Sequence, residues 1–417
     1  MNTLIKSAKI IDASNKGHHL KTRDILIENG VISKIASEIT EETNTKVIRF
    51  NNLHVSLGWF DSSVSFGEPG YEERETIAHG LQVAAKSGFT DIVLNPNTYP
   101  VPDSSADIVF LKNAAQGQAT RLHPLGSVTV KSEGKQLAEL FDMKKSGAVG
   151  FYDYKNPLCN SNLLKIALQY AENFDGLIHS FPQDAAISGK GVVNEGEVST
   201  HLGLKGIPAL AEELQMVRDL FILEYTGGKL HIPTISTAKA VSLIAEAKKK
   251  GLNVSCSVAL HNLFYGDEVL KEFETAYKVM PPLRTSTDIK ALINGVKDGV
   301  IDFVTSDHLP VAIEQKQIEF DLAMPGTLGL ETAFGILNTI LDTPRAITLL
   351  TKGRERFGIK TPKLQEGAAA NMTLFDPDTS YVFNVGHILS TSKNSMFLGT
   401  QLKGQVYGVF SGNTMVI

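Results

Sequence analysis

Residues 229–261, KLHIPTISTAKAVSLIAEAKKKGLNVSCSVALH, hold the pattern that decides the fold. An apolar run ends at Ile232-Pro233-Thr234, a stretch with apolar residues at helical spacing closes on Gly251, and a second apolar run ends at His261. Apolar side chains three and four positions apart line one face of a helix, and a glycine just past the last of them suits the left-handed turn that stops it. Strand, helix, strand predicts two parallel strands joined by a crossover. The same rhythm runs from about Val55 to about Gly367. TDIVLNPN (90–97), GAVGFYDY (147–154), DGLIHSF (175–181) and IDFVTSDH (301–308) read as strands, and ETIAHGLQVAAKSG (75–88) and NLLKIALQYAENF (162–174) as helices. About 300 residues of such units favour a closed barrel over an open sheet.

Outside this region the texture changes. LIKSAKIIDA and DILIENGVISKIA near the start are short alternating strands with Glu28-Asn29-Gly30 as a turn, and NMTLFDPD, YVFNV and QVYGVFSGNTMVI near the end read the same way. The expected architecture is α/β: a (β/α)8 TIM barrel over residues 55–366, beside a small β-sandwich built from residues 1–54 and 367–417 of the two chain ends.

The 417 residues are 42% hydrophobic and 20% charged, enough for one large core and a smaller one, which excludes a disordered chain or a coiled coil. A net charge of -5 offers no long-range attraction to phosphate backbones or anionic lipid, so neither nucleic acid nor a membrane is an expected partner. No apolar run reaches the roughly 18 residues that span a bilayer, and MNTLIKSAKIIDASN has no signal-peptide core. With Cys159 and Cys256 the only cysteines, the expectation is a soluble cytoplasmic protein.

Polar residues recur just past the strand ends: Asp61, Ser63, Ser65, Asn97, Asp153, His179, Thr234, His261, Asp307 and His308. Any one of them alone reads as a cap or a loop hydrogen bond. A barrel brings the same end of every strand to one mouth, so their recurrence argues for a shared pocket.

At these residues the chain resembles dihydroorotase, of the amidohydrolase superfamily. The resemblance rests on DSSVSFGEPGYEERETIAHG (61–80), NPNTYPVPD (95–103), NEGEVSTHLGLKGIPALAEE (194–213), KVMPPLR (278–284), IDFVTSDHLP (301–310), PGTLGLETAFG (325–335) and SKNSMFLGTQLKGQVYGVFSG (392–412), in order along nearly the whole chain. It implies a metal-dependent barrel in which one or two zinc ions are held by a His-x-His pair after the first strand, a bridging carboxylate, a His after each of strands five and six, and an Asp after strand eight.

The metal positions depart from that pattern. The His pair falls on Ser63 and Ser65, and the strand-six His on Thr234, while Asp153, His179 and Asp307 remain as the matching ligands. Neutral hydroxyls are poor zinc ligands at neutral pH. No two-metal centre is therefore expected, and the remnant Asp153, His179 and Asp307 would hold one zinc ion at most. His231 is read as a packed or surface histidine. Substrate recognition departs as well. The family's carboxylate-binding Arg falls on Gly67, its His after strand eight on Val311, and the Asn before Pro-Pro-Leu-Arg on Met280, while a substrate-binding Asn persists as Asn97.

Three functions stay open. The first is a catalytically inactive dihydroorotase homologue acting as a structural or regulatory partner of aspartate transcarbamoylase in a homo- or hetero-oligomer, with Asp307 a remnant of the family's general acid/base. The second is an active dihydroorotase or related cyclic-amide hydrolase with a reduced metal site, Asp307 shuttling the proton. The third is a small-molecule binding module with a vacant pocket. A serine hydrolase is excluded by the lack of a G-x-S-x-G elbow around Ser63 and Ser65.

Overall fold

The computed structural model describes residues 2–417. Strands β1 (Asn2–Ile11), β2 (Thr22–Glu28), β3 (Val31–Ala36), β4 (Thr45–Ile48) and β5 (His54–Leu57) open the chain. β6 (Trp59–Val64), β7 (Phe89–Leu94), β8 (Arg121–Gly126), β9 (Gly150–Tyr152) and β10 (Leu177–His179) then alternate with helices. After a two-residue pair, β11 (Val193–Asn194) and β12 (Gly206–Ile207), the alternation resumes through β13 (Lys229–Ile232), β14 (Val254–Ala259) and β15 (Phe303–Thr305). β16 (Asn371–Val382), β17 (Gln401–Ser411) and β18 (Thr414–Val416) end the chain.

The expected barrel is present. Eight strands pair in parallel in the order β6-β7-β8-β9-β10-β13-β14-β15. A parallel bridge from Val64 to His308, with the Ser65 N–H donating to the His308 carbonyl at 2.8 Å, brings the first strand against the segment after the last. The crossover helix of the opening stretch spans Ala238–Lys249. Thr237 caps it by accepting from the Ala240 N–H, Ala240, Ile244 and Ala247 are its buried positions, and Lys248 and Lys249 complement the negative end of its dipole. Gly251 follows with a φ of 80°, the left-handed conformation glycine adopts without a Cβ clash.

Both chain ends contribute to a second sheet, as expected. Its seam is β5, which runs parallel to β1 and antiparallel to β16. The strands are hydrogen-bonded as one eight-stranded mixed sheet, β18-β17-β16-β5-β1-β2-β3 with β4 on β1, around a separate core that includes Ile5, Ile10, Ile25, Val55, Met372 and Leu374. The sheet thus extends through Leu57, past residue 54, because the edges of β1 and β16 need a strand between them. Beneath the barrel mouth lies an aromatic layer in which Phe357 packs against Phe60 and Phe303 at ring distances of 5.7 and 5.9 Å.

Candidate functional site

Asp307 is the centre of the mouth. It follows β15 and is buried, and each of its oxygens is engaged: Ser63 Oγ donates to Oδ1 at 3.2 Å, and the Lys155 ammonium donates to Oδ2 at 2.8 Å. Asn95, just past β7, donates from Nδ2 to both Ser63 Oγ and Ser65 Oγ at 3.1 Å. The two serines that stand at the positions of the family's His pair are therefore parts of a hydrogen-bonded cluster that runs from Asn95 to the Asp307 carboxylate. Lys155 Nζ also lies 5.2 Å from the centre of the Tyr154 ring, whose hydroxyl burial pushes to a higher pKa.

Electrostatics keep this pair ionic. Burial works against the Lys155 ammonium, but Asp307 beside it outweighs burial and holds the lysine above its ordinary pKa. Burial raises Asp307 too, yet a carboxyl starts so far below an ammonium that the proton stays on the lysine. The backbone is strained at the same place: Lys155, Thr234 and Asp307 have φ values of 54°, 49° and 48°. A residue with a Cβ in this region bears about 1–2 kcal/mol of strain. Such strain persists where surrounding contacts hold it.

Asp61 fastens the first strand to the last loop. Its carboxylate accepts from the Ser63 N–H at 3.0 Å, from the Ser306 N–H at 2.9 Å and from the Thr305 hydroxyl.

Of the other two expected metal ligands, Asp153 is engaged by neighbouring donors, whereas His179 keeps Nε2 without a hydrogen-bond partner. Asp153 Oδ1 accepts from the Val128 and Thr129 N–H groups at 2.8 and 3.0 Å, and Oδ2 accepts from the Thr129 hydroxyl. His179 donates from Nδ1 to the Phe151 carbonyl at 3.2 Å, which leaves Nε2 unprotonated, the tautomer a metal ligand uses. That ring is packed among those of Tyr152, His231 and Phe357, at 5.6, 4.9 and 5.8 Å, and burial lowers its pKa to about 3. Thr234 is buried with its hydroxyl unpartnered. Among the described residues no group of three or more His, Cys, Asp and Glu side chains could hold a metal ion. Asp153, His179 and Asp307 thus form no common ligand set: Thr129 holds Asp153 and Lys155 holds Asp307, which leaves the His179 Nε2 as the one ligand atom of the three residues without a partner. These residues do not fit a zinc ion.

The substrate positions are equally altered. A Cβ at Gly67 would stand 1.8 Å from the Tyr71 carbonyl oxygen, so no arginine fits there on this backbone. Val311 is buried, with its N–H donating to Asn394 Oδ1 at 3.0 Å, and Met280 packs against the aromatic layer. Asn97 is half-buried with its Oδ1 unpartnered. His231 is a packed residue, its ring nitrogens 2.9 and 3.3 Å from the hydroxyls of Ser255 and Ser257. Two central residues escaped the sequence reading, Lys155 and Asn95. Lys155 directly follows Asp153-Tyr154, so a cation adjacent to an expected metal carboxylate was the available signal.

The stretches that carry the resemblance meet in a buried scaffold. Arg284 donates to Asn194 Oδ1 at 2.8 Å, to the Ile207 carbonyl at 2.7 Å and to Ser236 Oγ at 3.1 Å. Glu212 accepts from the N–H groups of Ser236 and Thr237 at 2.8 and 3.1 Å. A family model described as dihydro-orotase-like matches residues 54–240. The dihydroorotase of Pelotomaculum thermopropionicum is 38% identical, with 100% of this chain and 99% of that one aligned. The chain belongs to the dihydroorotase family. The dihydroorotase of Acetivibrio thermocellus is 37% identical over 99% of this chain and 98% of its own. Among solved structures, the L-hydantoinase of Arthrobacter aurescens superposes with a TM-score of 0.85 at 21% identity, over 99% of this chain and 95% of that one. The dihydropyrimidinase of Brevibacillus agri NCHU1002 does so with a TM-score of 0.83 at 22% identity, over 100% and 95%. At such identities the likeness speaks for the fold. Dihydroorotase-family membership accounts for the scaffold network, while the mouth has the neutral and lysine-paired groups described above.

Proposed function

We propose that this dihydroorotase-family chain no longer performs metal-dependent ring hydrolysis and serves pyrimidine biosynthesis as a structural or regulatory subunit in the cytoplasm. One observation carries this reading: the carboxylate at the family's proton-shuttle position, Asp307, has one oxygen on a serine and the other on a lysine ammonium. The ammonium on Oδ2 opposes both a metal ion and a transferred proton at that carboxylate. The test is dihydroorotate hydrolysis, and its reverse from N-carbamoyl-aspartate, by the chain as purified and after zinc addition. The expected rate equals that of buffer. Turnover that Asp307→Asn abolishes would reverse the conclusion.

A second reading, an active dihydroorotase or related cyclic-amide hydrolase, is favoured by the relatives, which match over the full length and are named dihydroorotase. The same assay decides between them. For the non-catalytic reading the proposed partner is aspartate transcarbamoylase, which the family resemblance implies. Exposed Leu210, Leu214, Phe221 and Tyr225 on the helix Ala209–Thr226 support association with another subunit, since exposed apolar side chains gain from burial. Co-expression should yield a complex burying at least about 1,000 Å² per interface. Separate elution at micromolar concentration, with unchanged carbamoylation, would remove this partner.

A further inference from the structure

Three observations converge on Lys155: its side chain is only 13% exposed, it is paired with Asp307, and it sits on a left-handed backbone that a glycine would occupy more easily. We infer that the Lys155 ammonium is the resident cation of this barrel, neutralising Asp307 where the family uses a metal and barring a metal from that carboxylate. The inference deepens the non-catalytic reading and rests on it. A buried carboxylate needs a counter-charge, and removing one member of a buried pair strands the other. Here the chain supplies that charge itself, and the Tyr154 ring beside it favours a cation. Metal independence is then built into the fold and does not follow from the absent histidines alone. Restoring imidazoles at 63, 65 and 234 would place a divalent ion against a fixed positive charge 2.8 Å from Asp307, and the repulsion would oppose binding.

Two experiments test this. In the first, Lys155→Met, which keeps the side-chain length and the backbone strain, should lower the melting temperature by about 5 °C or more. Lys155→Met with Asp307→Asn should recover most of that loss, and EDTA should leave the unmodified chain unchanged. A melting temperature that Lys155→Met does not move, a double variant no better than the single, or an EDTA effect each overturns the inference. In the second, zinc retention after dialysis is measured for Ser63→His/Ser65→His/Thr234→His with and without Lys155→Gly, glycine being suited to the left-handed backbone. Zinc held only when Lys155 is replaced is the expected result, and zinc in both variants or in neither overturns it. The hydrolysis assay reads the non-catalytic reading separately. Turnover by the unmodified chain would defeat that reading, whereas a silent assay with zinc in the triple variant would defeat only the resident cation.

Discussion

His179 and His231 face each other across neighbouring strands, paired in register, with their rings edge-on at 4.9 Å. Burial holds His179 at a pKa of about 3 and His231 well below its ordinary value, and His261, also buried with both ring nitrogens unpartnered, at about 3.

Acid should therefore destabilise the protein. Below a pH of about 6.5 the unfolded chain protonates these imidazoles while the folded chain does not, so their contribution to stability is complete above that pH and declines as the pH falls toward 3. Each histidine contributes a slope of up to about 1.4 kcal/mol per pH unit. Melting temperatures between pH 8 and pH 5 should show the decline, and His261→Gln should make it shallower. A pH dependence that His261→Gln leaves unchanged would mean that this ring is protonated in the fold.

Metal content follows from the occupied ligands. Asp153 is bound to Thr129 and Asp307 to Lys155, so the purified chain should carry well under one zinc per molecule. Elemental analysis near two equivalents would show that the mouth rearranges around a binuclear centre.

Two buried threonines at the mouth should respond in opposite ways. The Thr129 hydroxyl donates to Asp153 and accepts from the Gly134 N–H at 2.9 Å, so Thr129→Val removes that donor from Oδ2 and leaves Asp153 with the two N–H bonds at Oδ1, which should destabilise by roughly 2 kcal/mol. The Thr234 hydroxyl has no partner, so Thr234→Val should be within about 0.5 kcal/mol of neutral or slightly stabilising. Chemical denaturation of both variants measures the contrast.

Arg354 and Asp91, both fully buried, pair at 2.9 Å, and Arg354 also donates to the carbonyls of Gly58 and Trp59 at 2.7 and 3.1 Å. Arg354→Met should cost about 3–5 kcal/mol by leaving part of the Asp91 charge and two carbonyls uncompensated. Since Arg121 and His123 still contact Asp91, the loss should be smaller than for Asp91→Leu, which strands both buried Arg354 and His123. Denaturant midpoints of the two variants give the order.

The barrel, the two-ended sheet and the family were legible in the chain itself, because strand and helix periodicity is local and the motif stretches keep their order. The serines at 63 and 65, the threonine at 234 and the glycine at 67 could also be read directly, since a ligand's identity is a property of one residue. The partners of Asp307 could not. Lys155 and Asp307 are 152 residues apart, and Asn95 reaches Ser63 and Ser65 from a different strand. The packing of the β9 and β15 ends around one mouth brings Lys155 to Asp307, and the pairing of β6 with β7 brings Asn95 to the serines. The engagement of Asp153 by Thr129 and the caging of His179 by three rings were decided in the same way, because a side chain's partners depend on which strand ends meet in space. The residue types determined that hydroxyls stand at positions 63, 65 and 234, and the tertiary structure decided that an ammonium stands beside Asp307.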